Sequence, residues 1–190
     1  MSNSTRHEAR VDIVDALHRW CRSVDRLDYQ GMRDTFHEDA VDEHGAYNGD
    51  VDGLVAWIED RHQGIQFSSH SVSNIIVDFV SDEVALVESY VRTIQRYLAA
   101  NRRSLESLCG KIDLPGGALD LMTSSRYVDR YEKRKGAWKI AHRKLLPEWK
   151  QVFPVADTLL GGVSTGAHRN INDYAFAEFN RLKAAHKALA

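Results

Sequence analysis

QFSSHSVSNIIVDFVSDEVALVESYVRTIQRYL, residues 66–98, is rich in β-branched and aromatic side chains, which fit a pleated, half-buried surface. It breaks at Ser81-Asp82-Glu83, residue types that favour a turn. The pattern predicts two long strands, 70–79 and 84–97, paired in a hairpin. A second stretch of the same character, LMTSSRYVDRYEKRKGAWKIAHRKLLPEW (121–149), predicts another hairpin turning at KRKGA.

On the N-terminal side the period changes. Ile13, Leu17, Trp20, Cys21 and Val24 recur at three- and four-residue spacing, the stripe of a helix over 7–26. DRLDYQGM interrupts it, and a short second helix follows, with Met32 and Phe36 on one side, His37 at its end and Asp28 placed to cap its start. AVDEHGAYNGD reads as a strand running into a turn at 48–50. Leu54, Val55, Ile58 and Arg61 then mark a helix over 51–63. Residues 99–120 are polar and glycine-containing, expected as a loop with at most one helical turn. Residues 154–169 are rich in Gly, Ser and Thr, and Tyr174, Phe176, Phe179, Leu182 and Ala185 mark an amphipathic helix over 171–189.

Helices segregated from long antiparallel strands define an α+β class. The expected architecture is a cone: a curved antiparallel sheet packed with about three helices, whose concave interior suits a small ligand. Residues 1–153 are expected to form this domain, and 154–190 a C-terminal helical extension.

Composition narrows the function classes. With 43% hydrophobic and 27% charged residues the chain is an ordinary globular one. A net charge of −2 gives no electrostatic footprint for nucleic acid. No apolar run approaches the ~20 residues that span a bilayer. The N-terminus lacks the apolar core of a signal peptide, so a cytoplasmic location is expected. Cys21 and Cys109 are too few for a disulfide framework, and Cys21, within the apolar stripe, reads as a buried thiol.

FHEDAVDEHG (36–45) is the densest cluster of potential metal ligands. On a strand, Asp42 and His44 share one face and Glu43 takes the other. The ligands therefore diverge, and neither a paired-histidine helix nor a cysteine knuckle is present. No metal and no organic cofactor are expected.

The segments WCRSVDRLDYQGMRDTFHEDAVDEHGAYNG, SSHSVSN, ALVESYV and RYVDRYEKRKGAWKIAHRKL stand in an order and spacing that resembles SnoaL-like proteins of the nuclear-transport-factor-2-like superfamily, over roughly residues 8–150. The chain looks most like the cofactor-free lyase branch, which includes scytalone dehydratase, hexachlorocyclohexane dehydrochlorinase, bile-acid 7α-dehydratase and formaldehyde-releasing lyases of lignin dimers. The resemblance implies an acid–histidine pair at Asp25 in RSVDR and His70 in SSHSVSN, with an arginine on the last strand at Arg143. It departs at Trp20, where bile-acid-type members carry a tyrosine, so a hydroxyl donor is missing there.

A carboxylate bonded to one imidazole nitrogen fixes the tautomer and raises the basicity of the other nitrogen. An arginine can steady a departing or enolic oxygen. Read without the resemblance, Asp25 is an exposed acid paired with Arg22 or Arg26, and His70 a strand-end histidine. Of His142 and Arg143, adjacent on a strand, only one can face inward. Trp20, Tyr47, Trp57 and Tyr90 are the candidate substrate-binding aromatics, with core packing as the competing role.

The leading expectation is a cofactor-independent lyase acting on a small hydroxylated aromatic or polycyclic molecule, by dehydration or retro-aldol release of an aldehyde such as formaldehyde. The alternative is a non-catalytic protein, either the small subunit of a ring-hydroxylating dioxygenase or a ligand-binding module. A double-bond isomerase, with Glu88 or Asp42 as its base, comes third. The outer sheet face is expected to drive homo-oligomer assembly, a trimer first and a dimer next.

Overall fold

The computed structural model describes residues 3–155 and 167–187. The N-terminal helix α1 (Asn3–Arg26) lays its apolar stripe on the sheet, with Ile13 and Leu17 fully buried and Trp20 1% exposed. It stops at Leu27, whose φ of 54° is left-handed. Asp28 then caps the short α2 (Tyr29–Asp34), accepting from the Gly31 N–H at 2.9 Å. A Cβ at Gly31 would collide with the Asp28 carboxylate and the Ser23 hydroxyl, so a side chain here would displace the cap.

Strand β1 (Phe36–Glu43) follows directly, so Phe36 and His37 lie on a strand and not on the end of the second helix. Residues 48–50 are not the turn itself: they form the short β2 (Asn48–Asp50), antiparallel to β1, while the chain reverses at 44–47. Asp50 caps α3 (Val51–His62), which buries Leu54, Val55 and Ile58. The long hairpin is β3 (Ile65–Phe79) with β4 (Val84–Tyr97), in antiparallel register from Ile65–Tyr97 to Phe79–Ala85. The second is β5 (Leu119–Arg134) with β6 (Ala137–Pro154). Its turn residues Lys135 (φ 51°) and Gly136 (φ 83°) both occupy positive φ, the geometry of a tight two-residue hairpin.

The six strands lie in the order β2-β1-β6-β5-β4-β3, with β1 parallel to β6 and every other pair antiparallel. The sheet is curved and open. Register shifts at Ser73/Ile76, Ser124/Ser125 and Arg130/Tyr131 supply the bends, the first marked by Asn74 at φ 50°.

Residues 99–120 differ from the expected loop. A 3₁₀ turn leads into an eight-residue helix, α4 (Arg102–Cys109), which buries Leu105 with Ile65, Tyr97, Leu119 and Leu121. This small core stands apart from the larger one under α1 and α3. Arg102 ties the following chain down, donating to the carbonyls of Ile112, Leu114 and Pro115. The last helix, α5 (Tyr174–Lys187), buries none of its residues, and Tyr174, Phe179 and Leu182 are exposed. The chain before it is anchored instead: Arg26 pairs with Asp173 at 3.2 Å, and Arg169 reaches inward to the carbonyls of Asp25 and Ile65. Residues 156–166, most of the Gly/Ser/Thr-rich stretch, lie outside the described residues.

Candidate active site

The concave face of the sheet, α3 and α4 enclose a cavity of about 510 Å³. Val91, Thr93 and Gln95 line it from alternate positions of β4, as strand periodicity requires. Trp57 and Arg61 enter from α3, Leu108 and Cys109 from α4, and His44 from the turn after β1. His70 enters from β3, at the opposite end of the strand order.

Asp25 sits in the last turn of α1, where the helix dipole disfavours a negative charge. Three donors offset that. The His70 ring Nδ1 approaches Asp25 Oδ1 at 2.7 Å, Ser68 Oγ donates to the same oxygen at 2.8 Å, and the His70 backbone N–H donates to Oδ2 at 2.8 Å. Burial works against the carboxylate's charge, but the His70 and Ser68 hydrogen bonds outweigh it and hold its pKa below the ordinary 3.8. A carboxylate only accepts, so Nδ1 of His70 donates to it, and in the neutral ring the lone pair is then on Nε2. Asp25 is thus a buried acid pointed at His70, and not a surface partner of Arg22 or Arg26.

Arg143 does face inward, but it lies beneath the cavity wall and not in its lining. It grips Asp129 through Nε at 2.8 Å and Nη2 at 2.6 Å, and neither side chain has exposed area. Burial alone would lower its pKa; the Asp129 carboxylate outweighs this and pushes it up. Tyr127, Trp20 and Phe36 surround the guanidinium at 3.9, 5.1 and 5.6 Å from their ring centres. The expected contact of Arg143 with a substrate oxygen is therefore replaced by an internal ion pair. His142 points the other way, to Glu43 at 2.9 Å.

The four aromatic candidates separate. Trp57 lines the cavity. Tyr47 stacks on Trp57, 6.2 Å between centres, outside the lining. Trp20 is core, with its indole Nε1 donating to the Tyr127 hydroxyl at 3.4 Å. Tyr90 is corrected: it is out of phase with Val91 and Thr93 and lies on the outer face of β4. Glu88 shares that face and pairs with Arg126 at 3.2 Å, which removes it as a base within the cone.

Within 36–45 the polar side chains diverge to separate partners: His37 to the Glu132 carbonyl, Asp39 to Arg134, Glu43 to His142 and Lys144. Among the described residues no three His, Cys, Asp or Glu side chains gather in a metal-holding group. One pair from this segment does reach the cavity. His44 contacts the fully buried Asp42 at 3.0 Å and packs between Trp57 and Tyr127. The shared strand face of Asp42 and His44 was legible in the sequence, but that this face meets the cavity was not. Arg61 was also missed as a site residue: its spacing places it on the inward stripe of the helix with Leu54 and Ile58, and that position brings it to the cavity. Cys21, in the core, has its thiol pushed up to about 12 by burial.

The α+β fold with a cavity on the concave face of its sheet is shared by many solved structures, and the comparisons narrow it. The SnoaL-like domain family matches residues 5–144, and the chain belongs to that family. No curated protein matches it. Its fold is shared with a putative scytalone dehydratase from Novosphingobium aromaticivorans, at 22% identity and a TM-score of 0.64, over 85% of this chain and 98% of that one. A hexachlorocyclohexane dehydrochlorinase (LinA type 2) superposes with a TM-score of 0.69 at 16% identity, over 85% of this chain and all of that one. A protein of unknown function from Mycobacterium tuberculosis matches at 19% identity and a TM-score of 0.59, over the whole of this chain and 95% of that one. No helix among the described residues is long and apolar enough to cross a membrane.

Proposed function

We propose that the protein is a cofactor-independent lyase acting on a small hydroxylated aromatic or polycyclic molecule, with His70 as base and Asp25 as its orienting partner. The observation that carries this reading is the 2.7 Å contact of His70 Nδ1 with a saturated, buried carboxylate, beside a cavity that the same imidazole lines. In a dehydration, Nε2 takes a proton from the carbon next to the carbinol carbon. The C–H electrons form the double bond, the C–O bond breaks, and the departing oxygen needs a proton to leave as water. His44, held at Nδ1 by Asp42 on the far side of the cavity, can give it from Nε2 when its ring carries a second proton. In a retro-aldol release, Nε2 takes the proton of the hydroxyl. The C–C bond breaks, the carbonyl forms and leaves as an aldehyde, and the electron pair stays on the neighbouring carbon until it is protonated.

An isomerase acting through Glu88 is disfavoured, because that carboxylate faces outward into an ion pair. The test is a panel of hydroxylated aromatic dimers and steroid-like alcohols, with products identified by mass spectrometry. Loss of water or of formaldehyde with wild type, and not with folded His70→Ala, supports the reading. Equal turnover by both proteins would end it.

A further inference from the structure

Among the described residues, Arg61 is a cation without an acid. Its Nη1 donates to the Tyr97 hydroxyl at 2.7 Å and to Gln95 Oε1 at 3.1 Å, both neutral acceptors. Its Nη2 meets only His62 Nε2, at 2.7 Å, and the other nitrogen of that ring faces Arg169 Nη2 at 2.9 Å. A neutral imidazole has one acceptor nitrogen, so it satisfies only one of the two guanidiniums. Arg61 Nε is closed from solvent and has no hydrogen-bond partner among the described residues. The guanidinium lies over Trp57, 4.9 Å from the ring centre, at the cavity.

Arg143 shows what is missing. It holds a carboxylate with its Nε and Nη2. The same edge of Arg61 holds no carboxylate among the described residues: Nη2 rests on a neutral ring and Nε is unpaired, whereas the one unpaired nitrogen of Arg143, Nη1, lies outside its carboxylate-holding edge. Arg61 is half-buried, with its Nε closed from solvent, and a partly desolvated cation that borders a ligand-sized space without a counter-ion suits an anionic partner from outside the chain.

We infer that Arg61 is an anion-recognition residue of the cavity, and that the ligand is an aromatic or polycyclic carboxylate seated on Trp57. A planar two-oxygen anion matches the guanidinium fork, and the flat apolar body matches Trp57 and Leu121. This rests on the cavity's being the substrate site, as the lyase reading has it, but its test requires no turnover.

The probes are 2-naphthoate and 2-naphthamide, alike in shape and different in charge, titrated into the full chain by isothermal calorimetry. Wild type is expected to bind the carboxylate about 10- to 100-fold tighter than the amide. Arg61→Gln should bring the two within about twofold, and Arg61→Lys should keep part of the preference. His70→Ala should keep all of it, so a failure of the base assignment leaves this result intact. If Arg61→Gln does not fold by circular dichroism, a wild-type preference that is reduced in Arg61→Lys still supports the inference. The absence of a wild-type preference, including no carboxylate binding at millimolar concentration, overturns it. A preference that survives in folded Arg61→Gln overturns it as well.

Discussion

Two buried acid–base pairs lie in the same cone, and they differ in what is left over once each is formed. Arg143 and Asp129 bond each other twice, exclude all solvent and are walled in by Tyr127, Trp20 and Phe36. Nothing outside the chain can reach them. Asp25 and His70 share one side-chain contact, and the carboxylate is completed by Ser68 and the His70 backbone, while Nε2 of the ring makes no hydrogen bond among the described residues. The Arg143 pair is sealed from the cavity, its one unpartnered donor, Nη1, lying against the aromatic walls and closed from solvent. The Asp25–His70 pair satisfies its acid and leaves a ring nitrogen without a partner among the described residues, on a side chain that lines the cavity.

That contrast can be broken most directly through turnover. His70→Ala and Asp25→Asn should each lower kcat/KM by about 10²–10⁴-fold, with the fold intact. Asparagine can offer an N–H where the ring needs an acceptor, so the orientation or tautomer is lost. Because the two residues act as one unit, the double variant should be little slower than either single one. Losses that multiply would show that Asp25 and His70 work separately.

Arg143 should respond in stability instead. Arg143→Met strands the Asp129 carboxylate without water or counter-ion and should lower the unfolding free energy by about 3–5 kcal/mol in urea titrations. Pairing it with Asp129→Leu should recover most of that loss, since an apolar pair needs no compensation. An Arg143→Met protein as stable as wild type but catalytically dead would move Arg143 back into the active site.

The smallest effect concerns acid. The pKa of Asp25 lies below its ordinary 3.8 in the folded chain, so its contribution to stability is present above that value. It is lost as pH falls through the depressed value, because the unfolded chain binds the proton first. Urea midpoints measured from about pH 5 to about pH 2 should fall less steeply for Asp25→Asn than for wild type. Parallel acid limbs would remove the linkage between Asp25 and folding.

The hairpins and α1 were legible because their periods are strong and local. Alternation over 66–98 and 121–149 reads as strand, and the three-and-four spacing of Ile13, Leu17, Trp20 and Val24 reads as helix. Boundaries were less so. Phe36 and His37 belong to a strand because the short α2 ends at Asp34 and the chain extends at once, which no run of turn residues announces. Helix α4 was concealed by the polar residues around it: Leu105 is its one buried residue, and it needs the small core of Ile65, Tyr97 and Leu119 to hold it.

By itself the sequence determined the α+β class, the strand faces and the residue types on hand, because period and turn chemistry act over a few neighbouring residues. Even Tyr90 could have been placed outward from the same alternation that places Val91 inward. Which charges meet was decided only by tertiary structure. Asp25 and His70 are 45 positions apart and Arg61 is 36 from Tyr97. Whether each finds a partner depends on the curl of the sheet and the seating of α1 and α3. Those long-range contacts made Arg143 a closed pair and left His70 and Arg61 facing the cavity, since a charge acts according to its neighbours in space and the solvent they exclude.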